Sequence, residues 1–392
     1  MNHVSPQRIL PRFAWVIGLM LTAFMARLGA ADAPGLRVSA DGRWVLAGRP
    51  FRGVGVNYYD LFVRSLEAST AVPPEVGLAQ LAEKGIPFAR FSAGGYWPIH
   101  WGLYQTNRTD YFARLDRVVQ AAERLRIGLI PSLFWHGPTI PDLVGEPHSA
   151  WGDPRSRTCD LMRQYTREVV LRYRASPAVW AWEFGNEHNL PADLPNAADH
   201  RPPVVPALGT PAIRTARDEI THEHMRTAVR EFAREVRRHD PDRAILSGHA
   251  FPRPTAWHQQ SERSWKRDSE EQWSAMLAGD NPDPVNTLSG RLYAESDSQV
   301  LPWAVTTARR LKKPLFVGEF GVPGDWGPEN QRKWAALVDQ LTREQVDLAA
   351  LWVFDFEGQA SDWSVTVTNA RSGQLEAAAE LNRKWQTRRA GE

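Results

Sequence analysis

Asp110-Tyr-Phe-Ala-Arg-Leu-Asp-Arg-Val-Val-Gln-Ala-Ala-Glu-Arg-Leu-Arg-Ile-Gly-Leu-Ile-Pro-Ser-Leu-Phe134 changes its period part way along. Between Asp110 and Arg126, the apolar residues Phe112, Leu115, Val119, Ala122 and Leu125 fall three or four apart, which is one stripe of a helix. From Leu129 to Phe134 the chain is almost continuously apolar, as in a strand of parallel sheet covered on both faces. The same alternation extends in both directions. Strands are expected at Phe51–Asn57, Phe88–Phe91, Leu129–Phe134, Val179–Phe184, Ala244–Gly248, Val285–Leu292, Leu315–Gly318 and Leu348–Phe354. Helical stretches lie between them, such as His222–Arg238 with its stripe Met225, Val229, Phe232 and Val236, and a last helix is expected at Leu375–Gln386. Eight strands, each followed by a helix, is the count for an α/β fold of the (β/α)8 TIM barrel type with long βα loops. A doubly wound sheet would be the alternative, but Gly53-Val54-Gly55 lacks the third glycine and the following helix of a dinucleotide-binding turn. Ahead of the barrel, Leu36 to Val38 and Arg43 to Leu46 flank Asp41-Gly42, the signature of a short N-terminal β-hairpin.

The chain has 392 residues, 43% hydrophobic and 23% charged with the signs nearly balanced, which describes a globular protein. Residues 1–33 read as a secretory signal peptide: Arg8 and Arg12 precede the apolar run Phe13 to Met25, then come small residues and Ala31-Asp32-Ala33. The run is shorter than the roughly 20 residues of a membrane span, so the mature chain is expected to be secreted or periplasmic, without a membrane anchor. The leader carries three Arg and one Asp, and its removal takes the formal charge from +2 to zero. That removes the electrostatic argument for a nucleic-acid partner. Residues 34–392 are expected to form a single catalytic domain, and a monomer is expected. Cys159 stands alone, so no internal disulfide forms, and it reads as a small buried hydrophobe.

In a barrel of this kind the active site is assembled at the carboxyl ends of the strands. There the sequence places Arg90, Trp135-His136-Gly137, Gly185-Asn186-Glu187, Tyr293, Glu319 and Trp352. Two carboxylates distant in sequence converge only if the barrel closes. Their company suits chemistry on a sugar, because cleaving a glycosidic bond takes one carboxylic acid to protonate the leaving oxygen and a second carboxylate to attack the anomeric carbon. Glu319 must stay ionised, helped by Arg90 and the Tyr293 phenol, whereas Glu187 needs a raised pKa from burial and from the Glu319 charge. Asn186 is placed to hydrogen-bond the sugar hydroxyl next to the reacting carbon, and Trp352 offers its ring a platform.

These residues resemble a known family. Trp182-Glu-Phe-Gly-Asn-Glu187 is similar to the acid/base motif of the retaining (β/α)8-barrel glycosidase clan, and Pro314-Leu-Phe-Val-Gly-Glu-Phe-Gly321 to the nucleophile motif of glycoside hydrolase family 5, the cellulase and mannanase family. The likeness takes in Gly55 to Asn57, Arg90, His136-Gly137 and Trp352, and so spans about residues 36 to 386. It implies a retaining hydrolase of β-mannan or β-glucan type, with Glu187 as acid/base, Glu319 as nucleophile, and Arg90, His136, Asn186, Tyr293 and Trp352 lining the −1 subsite. One departure stands out: the family usually has His-x-Tyr on the sixth strand, and here it is Arg291-Leu292-Tyr293.

The remaining candidates divide between function and packing. Glu183 shares the strand parity of Glu187 and is read as a paired structural acid. His222-Glu223-His224 lacks metal-ligand spacing and is read as a solvated helix face. His188 is either a subsite contact or a loop residue. Asn107-Arg108-Thr109 is a glycosylation sequon. There are 17 tryptophans, more than a core needs, and about half of those on the rim loops are expected to touch ligand, Trp97 and Trp257 foremost as remote subsites. The proline-rich stretch Asn189 to Ala212 is expected to wall the cleft. Neither metal nor cofactor is expected. The rival readings are an exo-acting β-glycosidase on oligosaccharides, a noncatalytic carbohydrate-binding barrel, which both carboxylates disfavour, and a Schiff-base enzyme, which would want a strand-end lysine.

Overall fold

The computed structural model describes Met1 and residues 34–67, 73–293 and 295–389. The leader expected at residues 1–33 lies, Met1 apart, outside the described residues. From Pro34 the chain is one compact unit.

Strands β1 (Leu36–Val38), β2 (Trp44–Leu46) and β3 (Arg49–Pro50) form a small antiparallel sheet, with Leu36 opposite Leu46 and Val38 opposite Trp44. It is held against the floor of the barrel. Leu36 N donates to Trp180 O (2.7 Å) and Trp44 Nε1 to Leu315 O (3.3 Å), both at the amino ends of barrel strands. Leu36 and Trp44 pack there against Phe88, Ile130 and Phe316 in a cluster that fills the floor.

The barrel consists of β4 (Gly53–Asn57), β5 (Phe88–Ser92), β6 (Gly128–Phe134), β7 (Ala181–Gly185), β8 (Ala244–Leu246), β9 (Leu288–Leu292), β10 (Leu315–Phe320) and β11 (Leu348–Leu351). All neighbours run parallel, in the order β8-β7-β6-β5-β4-β11-β10-β9. The (β/α)8 reading is thereby borne out. Backbone ladders leave β8 and β9 at the two ends, and side chains join that seam: Asn286 Oδ1 accepts from Ile245 N (2.9 Å) and Thr287 Oγ1 donates to Ile245 O (2.8 Å). The first and last barrel strands are neighbours, Gly53 to Val56 lying beside Leu348 to Leu351. The final helix, Ser372–Arg389, fastens that junction, since the Asn382 amide bonds both the N–H (2.7 Å) and the carbonyl (2.8 Å) of Val54.

Element bounds differ from expectation where side chains intervene. The helix expected from Asp110 begins at Arg108, because Asn107 accepts from Asp110 N (3.2 Å) and caps it. The sixth barrel strand starts at Leu288 and not at Val285, and the seventh runs on to Phe320, so Glu319 lies within a strand. Three rim tryptophans, Trp101, Trp151 and Trp273, are fully buried in the main core and pack loops; for these the ligand-facing expectation fails. His222 also departs from the solvated-face reading, being 2% exposed with its Nδ1 3.0 Å from Asp280. Glu223 beside it does face solvent. Cys159 is buried and free, as expected.

Candidate active site

The site is built on a buried cation. Arg90, in the middle of β5, is fully enclosed. Its Nε donates to both oxygens of Glu183 (2.7 and 3.0 Å), its Nη1 to Asn57 Oδ1 (2.8 Å) and Glu319 Oε1 (3.1 Å), and its Nη2 to Asn186 Oδ1 (2.8 Å). Four barrel strands or strand ends thus meet on one guanidinium. Glu183 has no exposure and serves as the structural partner that offsets the buried charge. Trp135 closes the other side, with the Arg90 Cζ 4.3 Å from its ring.

Arg291, on β9, is the second cation. Its Nη2 donates to Asn186 Oδ1 (2.8 Å) and to Gly248 O (2.8 Å). Its Nε lies 3.0 Å from Glu319 Oε1 and 3.7 Å from Glu187 Oε1. The N–H does not aim at either oxygen, so these are contacts of charge and not aligned hydrogen bonds. Because one nitrogen reaches both, the two carboxylate oxygens can be no further apart than the sum of those distances. That close approach is compatible with the 5–5.5 Å separation of a retaining pair. Gly318, in β10 directly before Glu319, leaves room for the Arg291 guanidinium, since a Cβ there would press on Arg291 Nη1. Sequence reasoning marked Arg291 only as a departure from a pattern. The two-residue spacing from Tyr293 was the available sign that both side chains point the same way.

The two carboxylates meet different surroundings. Glu319 is nearly enclosed, with Oε1 between Arg90 and Arg291 and Oε2 accepting from the Tyr293 hydroxyl (2.9 Å). Burial and the Glu319 charge drive the Tyr293 phenol well above its usual range, so it stays a donor. Glu187 follows β7 in a left-handed conformation (φ 56°), its N–H bonded to Gly248 O (3.0 Å). Such a backbone in a non-glycine residue costs of order 1–2 kcal/mol and aims the side chain into the cleft. Burial first, and the Glu319 charge second, push the Glu187 carboxyl up to about 7, with Arg291 and Arg90 acting against them. Asn186 has its carbonyl oxygen committed to two guanidinium donors, which leaves the amide N–H2 to face the cleft as a donor.

The other expected residues lie around this cluster. His136 is stacked on Tyr96 (4.4 Å between ring centres), flanked by Trp97 (4.9 Å), and has Nδ1 3.0 Å from Thr139 Oγ1. Burial lowers it to about 3, so it is neutral. His188 turns its Nε2 to Trp135 O (3.1 Å) and lines the cleft floor. Trp352 stacks on Trp135 at 6.2 Å and donates to Gln359 Oε1 (2.8 Å), while Trp363 meets Tyr293 edge-on at 5.2 Å. Trp257 is not joined to the cluster: its backbone N–H donates to Asp268 Oδ2 (2.9 Å) and its ring lies against His258.

Beside Glu187 the cleft opens into a cavity of about 230 Å3, lined among others by Trp135, His136, Pro191, Pro202 and Pro203. The proline-rich stretch forms its wall and is clamped. Arg214 holds Asp142 through two contacts of 2.6 and 2.7 Å, both side chains buried, and also donates to Pro203 O (3.2 Å). Gly209 lies against Pro98 of the segment after β5, so close that a Cβ would come within 2.9 Å. The wall therefore reaches from β7 across to the β5 side. Among the described residues, no cluster of three or more His, Cys, Asp or Glu is arranged to hold a metal ion, and no helix is long and apolar enough to cross a membrane.

A barrel with two carboxylates close together at its mouth is an arrangement that suits retaining glycosidase chemistry. No family model matches the chain. In sequence it is similar to a putative mannan endo-1,4-beta-mannosidase 9 of Oryza sativa subsp. japonica, 29% identical over 211 residues, which are 47% of this chain and 51% of that protein. It is also 30% identical over 174 residues to mannan endo-1,4-beta-mannosidase 8 of the same plant, covering 38% of this chain and 45% of the relative. The chain thus spans about half the length of the curated relatives it matches. Among solved structures, the endo-1,4-beta-mannanase of Rhizomucor miehei superposes with TM-score 0.62 at 14% identity (88% and 99% of the two chains). The exo-beta-1,4-mannosidase Op5Man5 of Opitutaceae bacterium strain TAV5 does so with TM-score 0.60 at 18% identity (90% and 62%). At such identities the structural likeness is one of fold. Together these findings bear out the resemblance to glycoside hydrolase family 5.

Proposed function

We propose that the protein is a retaining glycoside hydrolase that cleaves β-linked mannan or glucan by double displacement, with Glu319 as nucleophile and Glu187 as acid/base. The observation that carries this reading is the single Arg291 nitrogen within 3.0 Å of a Glu319 oxygen and 3.7 Å of a Glu187 oxygen, a proximity that suits the close pair of a retaining enzyme. In the first step a Glu319 oxygen attacks the anomeric carbon as the bond to the leaving oxygen breaks. The departing electron pair takes the proton of Glu187. In the second step Glu187, now ionised, accepts a proton from water as that water attacks the same carbon and returns the bonding pair to Glu319. The Asn186 amide donates to the hydroxyl beside the reacting carbon, and Trp352 backs the ring at the −1 subsite, which Arg90, His136 and Tyr293 also shape.

The names of both sequence relatives favour β-1,4-mannan and endo action. A second reading, exo action on oligosaccharides, is supported by the clamped proline-rich wall after β7, which lines the cavity beside Glu187. The N-terminal leader pattern supports export of the enzyme to where such polymers lie. The test is to assay the purified protein on mannan, glucan, xylan and nitrophenyl glycosides, with Glu319→Gln as background, and to follow the first-formed anomer by proton NMR. The β-anomer is expected first, with falling viscosity for endo action or early monosaccharide for exo action. First formation of the α-anomer, or turnover in Glu319→Gln above about a tenth of wild type, would refute the reading.

A further inference from the structure

The side chain at position 291 departs from the pattern that the rest of the site follows, and the site's charges close only with it in place. Arg90 and Arg291 are enclosed with Glu183 and Glu319, so two fixed cations meet two anions while Glu187 holds its proton. When Glu319 becomes a glycosyl ester and Glu187 ionises, the count is again two against two. A neutral residue at position 291 would leave one surplus buried negative charge in both states, an expensive arrangement in a site of low polarity.

We propose that Arg291 is a positioning residue that replaces a titratable contact by a permanent charge and thereby couples the two carboxylates through both steps. Its side chain is fixed for this by bonds to Asn186 Oδ1 and Gly248 O, at 2.8 Å each, and by the space that Gly318 leaves open. The inference rests on the catalytic roles proposed above for Glu187 and Glu319. The charged groups facing Glu187 are Glu319 from β10, Arg291 from β9, Arg90 from β5, Asp297 from the helix after β9, and Arg253 from the segment after β8. Those facing Glu319 are Arg90, Arg291 and the Tyr293 phenol. His249, whose carbonyl receives Arg291 Nη1 at 3.4 Å, is lowered by burial to about 3 and carries no charge at working pH.

Removing one cation disfavours ionisation of Glu187, which Arg291 faces. The alkaline limb of kcat/KM, where Glu187 must keep its proton, should therefore move to higher pH. R291Q is expected to shift that limb upward by about one unit or more, and R291K, which keeps the charge, to leave it near the wild-type position. The assay is the pH profile of kcat/KM on whichever aryl β-glycoside the wild type hydrolyses, with thermal melts to confirm folding. If R291Q does not fold, R291H, which restores the residue usual in the family the chain resembles, takes its place and should shift the limb in the same direction. An alkaline limb that coincides with that of the wild type while kcat falls would mean that Arg291 merely packs the site, and would overturn the inference. A wild-type protein inactive on every glycoside would overturn the catalytic reading, and this one with it.

Discussion

Replacing Arg90 by methionine should be among the most damaging single changes in this molecule, because the guanidinium offsets the charge of the fully enclosed Glu183. Arg90→Met keeps a similar stem but deletes the donors to Glu183, Asn57, Glu319 and Asn186. Glu183 would then be an enclosed charge with its cation gone. Breaking a buried pair from one side costs about 3–5 kcal/mol. For a folded unit of roughly 350 residues the unfolding entropy is about 0.7 kcal/mol/K, so the midpoint should fall by about 4–7 °C. The discriminating variant is Arg90→Met/Glu183→Gln, which removes the stranded charge together with its partner and should recover about half of the loss or more. Calorimetry or circular-dichroism melts at neutral pH would measure all four corners of the cycle. A single variant melting with the wild type, or a double variant whose losses simply add, would refute the view that Arg90 and Glu183 act as one buried unit.

Other outcomes follow from the same geometry. Glu187→Ala should spare aryl glycosides with good leaving groups far more than natural glycosides, and added azide should restore turnover on the former; equal losses without an azide adduct would count against the acid/base role. The alkaline limb on substrates with poor leaving groups should fall near pH 7, where Glu187 loses its proton, and a limb two units away would contradict the tuning described. Since the folded-state pKa of Glu187 is raised from 4.5 to about 7, its stabilising effect is present at low pH and lost as pH rises through that window. The stability advantage of wild type over Glu187→Gln should accordingly shrink by about 1–3 kcal/mol between pH 4.5 and 7.5, and denaturant titrations giving a constant difference would refute this. Trp97→Ala should lower kcat/KM on long substrates roughly tenfold and scarcely affect an aryl monoside, whereas Trp257→Ala, outside the contacts that join the cluster, should affect neither; a reversed ranking would redraw the cleft.

The barrel was legible because its evidence is periodic: runs such as Leu129–Phe134 are apolar for as long as a strand is covered on both faces. The strand-end residues followed from topology, since a closed barrel leaves few places for Arg90, Asn186, Glu187, Tyr293 and Glu319. The contacts of Arg90 and Tyr293 with Glu319 were expected, but the rest of the charge pairing could not be read. Nothing in the sequence tells that Glu183 belongs to Arg90, or that Arg291 reaches both carboxylates, because these contacts join residues on different strands. The tryptophans mark the same boundary, for a loop indole that stacks on a ligand and one that seals the core, such as Trp151, have the same local sequence character. His222 was misread for a related reason: its partner Asp280 lies 58 positions away, beyond the reach of helical periodicity.

The junction between β4 and β11 also bears on the order of events during synthesis. The first barrel strand pairs early with β5, but finds its second neighbour only when residues 348–351 exist, and the amide that completes the backbone of Val54 belongs to Asn382. Through most of translation β4 therefore has one edge without its native partner, and closing so long a loop is slow because its entropy must be lost before the contacts are gained. The half-made barrel is an open sheet with an apolar strand at its margin, the kind of edge that pairs with other chains. Truncation before Asn382 should accordingly reveal itself as aggregation in the expressing cell.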